Sequence, residues 1–367
     1  MDKLRKLRSE TMTNDLESIF YVNARFLTQK LTGVQRYAIE ICRQIKKQAP
    51  QVVFLAPINI LHTEIAQELD AQIIGRNTGT IWEQWDLYRF MSNKKNILLN
   101  LCNSAPLLYR YNMITIHDLA YIFYPKSFSF LFRTWYRFMQ PAVIRNAQHL
   151  FTVSQSVRDE ITTQFALSQT DITITKNGIA AFFLQQELPP TWVKEKIILC
   201  VGSLNPRKNL PTLFRVFQRV QQQFPKYQLV CIGSDSNIFT QQNMPLLPNM
   251  VCLNSLTDNE LASWYQRAEV FVSISAYEGF NLPILEALFF QCQVLCSDIP
   301  VHRELYQDSV YFCDIQHESS IQISLLEILN DQTITVENKI TKPWMSYLQS
   351  AEVIRQEIQA HENRSHA

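Results

Sequence analysis

Two glutamates eight residues apart, Glu278 and Glu286, frame the segment "EGFNLPILE". Gly279 follows the first, and Pro283 suits the first turn of a helix that carries the second. The free N–H groups of Phe280, Asn281 and Leu282 at such a helix start offer an anion site, reinforced by the helix dipole. Glu286, about one turn in, is placed to accept from a ribose diol. Glu278, before the loop, is placed to accept hydroxyls of whatever hangs from the phosphates. The competing reading is two solvated acids on a helix-capping loop. Earlier, in "CVGSLNPRKNL", a strand turns at Gly202 and is followed by Arg207 and Lys208 side by side. Arginine supplies a fork of donors and lysine a point charge, a pair suited to a diphosphate. Taken alone, the same pair reads as a solvated basic turn.

Positioning such groups requires strands that end where the ligand sits. Strand patterns fall at "IFYVNARFL" (19–27), "VVFLAPIN", "NILLNLCN", "MITIHDL", "HLFT" and "DITITKNGI". The helix "TGVQRYAIEICRQIKKQ" places Val34, Tyr37, Ala38, Ile41, Cys42 and Ile45 on one apolar face. The segment "SQSVRDEITTQF" is a second helix capped by Ser154 or Ser156. "QQELPPTWVKEK" reads as a linker, with paired prolines and flanking charge. The alternation then restarts with "KIILCVGSL", "NLPTLFRVFQRVQQQF", "YQLVCIGS", "NMVCLNSL", "TDNELASWYQRA", "EVFVSIS", "PILEALFFQC" and "QVLCSD". Thr257 or Asp258 caps the helix that follows, with Glu260 near its third position. Repeated strand–helix alternation predicts an α/β protein with two doubly wound parallel sheets and a ligand cleft at the strand ends between them.

Five of the seven glycines, Gly33, Gly178, Gly202, Gly233 and Gly279, stand at or just after predicted strand ends. Positive φ and close approach of a ligand to the backbone are one reason for glycine there; ordinary turn punctuation is the other. The 367 residues are too many for one ordinary core, and a formal net charge of +1 gives no global signal for nucleic acid. None of the eight cysteines forms a CxxC pair, and most sit in apolar runs, so they read as small buried hydrophobes in a reducing compartment. The basic start has no apolar core and no run is long enough to span a membrane, so the expected location is the cytoplasm. Residues 1–18 are expected to be a flexible leader, with Met12 as an alternative start.

Together these pieces resemble the family-4 retaining glycosyltransferases of the GT-B fold. "EGFNLPILE" is similar to that family's E-x7-E element, and "GSLNPRKNL" to its phosphate-binding turn. "TGVQRY" resembles its first glycine loop, and "TIHDL" its His-Asp strand end. "VSQSVRDE", "NGI" and "NELASWYQRAEVFVSIS" follow in register, so the likeness runs from about residue 19 to 357. Three positions depart from the pattern. Asn281 replaces a glycine but tolerates left-handed backbone; "FFQC" (289–292) replaces a small-residue turn; Ser203 stands where many relatives carry a second arginine.

The resemblance implies transfer of a hexose-type sugar, with retention and without metal or other cofactor, from a nucleotide diphosphate sugar. The acceptor would be a glycan or lipid-linked glycan, in synthesis of a bacterial surface polysaccharide such as O-antigen, capsule or exopolysaccharide. It implies domains at 19–188 (acceptor side) and 189–342 (nucleotide-sugar side), with 343–367 a C-terminal helix returning to the first. Catalytic candidates are His117, Asp118, Arg207, Lys208 and Glu278. Gly33, Gly202, Ser203, Gly233, Asn254, Ser255, Leu256, Gly279, Phe280, Asn281, Leu282 and Glu286 join Arg207, Lys208 and Glu278 as donor contacts. Asp118 would either orient His117 or cap the next turn, and Arg36 is a further first-domain candidate. The aromatic and basic stretch 121–138, with Lys126, Arg133 and Arg137, reads either as a helix packed on the first domain or as a surface facing lipid or acceptor. Contact with the inner membrane face belongs to the second reading. A silent nucleotide-sugar-binding partner of another transferase and a GT-B epimerase are the alternatives.

Overall fold

The computed structural model describes residues 19–186, 193–203, 205–233, 249–254, 256–330 and 346–366. The expected leader, the paired prolines and Ser255 lie outside the described residues.

Seven strands form the first sheet: β1 (Tyr21–Asn23), β2 (Val53–Ala56), β3 (Gln72–Ile73), β4 (Leu98–Asn100), β5 (Asn112–Ile116), β6 (His149–Thr152) and β7 (Ile172–Ile174). Six form the second: β8 (Glu195–Val201), β9 (Gln228–Ile232), β10 (Met250–Leu253), β11 (Ala268–Ser273), β12 (Gln293–Ser297) and β13 (Tyr311–Cys313). The orders are β3-β2-β1-β4-β5-β6-β7 and β10-β9-β8-β11-β12-β13, and neighbouring strands pair in parallel. Each sheet reverses its winding once, between β1 and β4 and between β8 and β11. Those two crevices, at the carboxyl ends of the strands, are where such sheets hold ligands.

The longer helices are α1 (Gly33–Gln48), α2 (Phe130–Asn146), α3 (Gln155–Phe165), α4 (Leu210–Gln223), α5 (Asp258–Arg267), α6 (Leu282–Phe289), α7 (Pro300–Tyr306), α8 (Glu318–Asn330) and α9 (Tyr347–His366). The expected apolar stripe of α1 is buried at Tyr37, Ala38, Ile41, Cys42 and Ile45. Ser154, not Ser156, caps α3, its hydroxyl accepting from Val157 N at 3.3 Å. Thr257 caps α5 in a reciprocal box with Glu260. Helix α9 returns to the first half, where the Tyr347 ring meets Tyr37 edge-on and the Ser350 hydroxyl donates to Lys176 O.

Several boundaries differ from the sequence expectation. The first strand stops at Asn23, because the Asn23 side chain accepts from Arg25 N and turns the chain into a 3-10 turn, Arg25–Thr28. The short edge strand β3, the helices α7 and α8, and a helical run at 79–91 with a π turn over Trp82–Leu87 were not anticipated. Of the departures in "FFQC", Phe290 is fully buried, stacked on Tyr265 and edge-on to Phe183 of the first half. The bulky residue thus fills the seam between the halves. None of the eight cysteines forms a disulfide, and all are buried or half-buried, as their apolar surroundings suggested.

Candidate active site

The second-half crevice is built from the ends of β8 and β11. After β8 the chain turns at Gly202 into the short 3-10 turn Pro206–Lys208, started by the Asn205 side chain accepting from Arg207 N. Asn209 takes a left-handed φ of 57° and launches α4. This presents Arg207 and Lys208 to the loop that follows β11. Ala276 N donates to Arg207 O at 2.7 Å, and Arg207 Nη1 donates to Tyr277 O at 2.8 Å, so the two loops are stitched together.

Glu278 lies between the two cations. Its Oε2 accepts from Arg207 Nη1 and its Oε1 from Lys208 Nζ, both at 2.6 Å. Burial pushes this carboxyl up, but Lys208 and Arg207 outweigh burial and hold it at about 2. The structure therefore gives the acid expected to hold sugar hydroxyls a different set of partners: the two cations expected to hold phosphate. Arg207 Nε is buried with no hydrogen-bond partner.

Gly279 has a reason the sequence did not show. A Cβ there would lie 1.9 Å from the backbone oxygen of His117, on the opposite half. Only glycine lets the loop close against that strand end. Asn281 caps α6 with a left-handed φ of 73°, as its residue type allows. Its side-chain N–H groups reach Ser273 Oγ (2.9 Å) and His302 Nε2 (3.0 Å). His302 Nδ1 faces Ser297 O at 2.9 Å; since that carbonyl only accepts, Nδ1 carries the proton and Nε2 accepts. Burial lowers the His302 pKa to about 4, so the ring is neutral. The Tyr306 hydroxyl lies 3.2 Å from both Phe280 O and Asn281 O. Nothing in local spacing ties 302 and 306 to 281, and the sequence reading missed both.

Glu286 is buried in α6, accepting from the Tyr265 hydroxyl at 2.8 Å. Burial raises its pKa, partly offset by Arg36 and Tyr265. The charge of Arg36 acts on it from α1, while the guanidinium itself pairs with Asp258 of the second half and lies over the Phe183 ring. Leu282, at the start of α6, comes within 3.4 Å of where a Gly33 Cβ would sit, so the starts of α1 and α6 face each other. Gly233 (φ 85°) and Asn254 end β9 and β10 beside the β8 turn, Leu256 follows, and Ser203 is exposed.

The first half contributes His117, just past β5. Its Nε2 donates to Leu101 O at 2.8 Å, which leaves Nδ1 as the acceptor. Burial lowers its pKa, against the hydrogen bond to Leu101 and the charge of Asp118. Asp118 caps the following turn by accepting from Ala120 N, the second of the two roles considered for it. At the first-half crevice, between β1 and β4, a network unseen in the sequence joins Asn23, Arg25, Glu83, Asn100 and Ser104. Glu83, on the π turn, accepts from Asn23 and Ser104 and pairs with Arg25 at 3.1 Å.

Cross-cleft bonds hold the halves in this closed arrangement. Tyr277 Oη accepts from Leu119 N and donates to Glu160, Ser154 Oγ donates to Gly279 O, and Tyr124 Oη donates to Ala276 O. Glu304 accepts from Gln155 N, Ser156 N and Ser156 Oγ at the start of α3.

With this geometry in hand, the chain can be set beside known proteins. Residues 186–342 match the family described as glycosyl transferases group 1. The chain is 28% identical over 329 residues to O-antigen chain mannosyltransferase RfbU of Salmonella typhimurium, spanning 84% of this chain and 90% of that one. It is 25% identical over 236 residues to O-antigen chain mannosyltransferase B of Escherichia coli, covering 60% and 61%. The structure of Anabaena HepE in complex with UDP and glucose superposes with a TM-score of 0.65, 12% identity, and 94% and 97% coverage. The two-sheet architecture is the GT-B fold.

Proposed function

We propose that this chain is a retaining hexosyltransferase of the E-x7-E type. It moves a sugar, mannose on the strength of its relatives, from a nucleotide diphosphate sugar to a glycan or lipid-linked glycan in bacterial surface polysaccharide synthesis. The observation that carries the reading is the meeting of Arg207, Lys208, Glu278 and the start of α6 at the β8/β11 crevice, closed by His117 from the other half. Two half-buried cations beside a helix start are a charge-assisted site for a leaving diphosphate. Glu286, in α6, is assigned to the ribose. Charge on the leaving group is met by side chains and backbone, so the reaction is assigned no metal. Neutral His117, with Nδ1 left to accept, is assigned to the sugar and acceptor hydroxyl.

The acceptor's lipid end is assigned to the surface of α2. Phe130, Leu131 and Phe138 are 70%, 80% and 74% exposed, beside Lys126, Arg133 and Arg137. Such a patch suits the interface of an anionic bilayer, with the chain a peripheral protein of the cytoplasmic membrane face. No helix of the described residues is long and apolar enough to cross a membrane.

The test is a thermal-shift panel of UDP, GDP, ADP, dTDP and CDP, with and without EDTA, followed by transfer assays with the matching sugar nucleotide. One nucleotide at about 100 times its dissociation constant should add about 2.7 kcal/mol, unchanged by EDTA. Product anomeric configuration read by NMR tests retention. Turnover of sugar nucleotide without acceptor, to an epimerised sugar, would instead make the chain an epimerase. Co-sedimentation with phosphatidylglycerol vesicles, lost in Phe130→Ser/Phe138→Ser, tests the membrane contact.

A further inference from the structure

The cation pair at the end of β8 is already paired with an anion, and that anion belongs to the protein. Glu278 spends one oxygen on Arg207 and the other on Lys208, each at 2.6 Å, in a setting where its side chain is 7% exposed. A diphosphate cannot take either cation without displacing or sharing this carboxylate. Left beside an incoming phosphate, a buried glutamate suffers like-charge repulsion and loses its partners, both costly in a desolvated site. Meanwhile the Arg207 Nε donor is buried without a partner, so Glu278 alone does not complete the guanidinium. The site is thus filled by a stand-in that satisfies it incompletely.

We propose that Glu278 acts as an internal surrogate for the donor diphosphate and thereby makes the site discriminate a sugar-bearing nucleotide from the bare nucleoside diphosphate. This rests on the assignment of Arg207 and Lys208 to phosphate. When a nucleotide sugar binds, the sugar hydroxyls donate to the displaced Glu278 and replace the bonds it lost. A bare nucleoside diphosphate brings the same phosphates but no hydroxyl at that place, so Glu278 remains unpaired beside negative charge. After transfer the product is such a bare diphosphate. Glu278 then competes it off by returning to Arg207 and Lys208. One carboxylate so favours substrate over product without any second site.

Calorimetric titration of the full chain with GDP, UDP and inorganic pyrophosphate tests this, comparing wild type with Glu278→Gln and Lys208→Ala. Glu278→Gln removes the competing charge and keeps the shape. The expected result is about tenfold tighter binding of pyrophosphate and of the preferred nucleoside diphosphate, the equivalent of ~1.4 kcal/mol, with a lower transfer rate. Equal or weaker binding by Glu278→Gln, while Lys208→Ala still weakens binding, overturns the surrogate role and leaves the phosphate assignment standing. If Lys208→Ala binds as tightly as wild type, the phosphate assignment itself fails. Should Glu278→Gln not fold, the wild-type affinities decide. A nucleotide sugar held no more tightly than its own nucleoside diphosphate overturns the proposal.

Discussion

The two halves bring opposite kinds of chemistry to one cleft. The second half presents charge: Arg207, Lys208, Glu278 and Glu286 lie on the turns and the helix that follow β8 and β11, and the pair Arg207–Lys208 is matched to a carboxylate. The first half presents His117 as a neutral ring held by Leu101 O, with its backbone amide donating to the Asn103 side chain. At its own crevice the half-buried Arg25 pairs with the buried Glu83. Under the proposed assignment the two halves divide the labour. A diphosphate needs fixed positive charge that stays paired in its absence. A hydroxyl acceptor needs only oriented hydrogen bonds and an approach that excludes water.

The largest effect should come from stripping the second half of its charge. Lys208→Ala should lower kcat by about a hundred- to a thousandfold, the scale for losing one group that stabilises developing charge, read in a steady-state transfer assay. A comparable loss from His117→Ala with no change from Lys208→Ala would reverse the assignment of roles. The next largest effect should come from Gly279→Ala. Its methyl must displace the His117 carbonyl, separating the halves by an ångström or more. A misplacement on that scale costs about a hundredfold in kcat/KM, and Gly279→Ser should behave the same way.

The two halves also share an acid-sensitive element, a buried histidine in each. His302 has its pKa lowered by burial from the ordinary 6.5 to about 4. A neutral buried histidine contributes stability above the unfolded pKa, and that contribution is lost as pH falls from about 6.5 towards 4. The limiting slope for one group is ~1.4 kcal/mol per pH unit. Urea titrations across this range should show the fall, and His302→Asn should flatten it. His117, lowered in the same direction, adds to the slope. The smallest expected effect is that of Phe130→Ser on the exposed face of α2, within about 0.5 kcal/mol of wild-type stability by denaturant melt. A larger loss would mean that this face is covered by the protein itself.

Much of this was legible in the chain. The strand–helix alternation predicted two parallel sheets, because strands buried on both faces must be apolar throughout and their crossovers must be helices. The capping box at Thr257 and the left-handed Asn281 were readable because caps depend on neighbours within three residues. Partners set by the approach of distant elements were not readable. The first strand was read too long, since the Asn23 side-chain turn competes with an otherwise strand-like run. The network around Glu83 was missed because a π turn, the β1 end and the β4 end meet only in the fold.

Residue order alone supplied the inventory: two acids eight apart, a basic pair after a strand, and glycine where a turn was needed. Residue type and local spacing suffice for that, because they fix what a side chain can donate or accept and which turns the backbone can make. Which side chains meet depends on the packed fold. It put Glu278 between Arg207 and Lys208, turned Gly279 into the point where the halves touch, and set His302 behind Asn281. Those pairings join residues 21 to 162 positions apart, and their geometry is set by how two sheets pack, which no local stretch encodes.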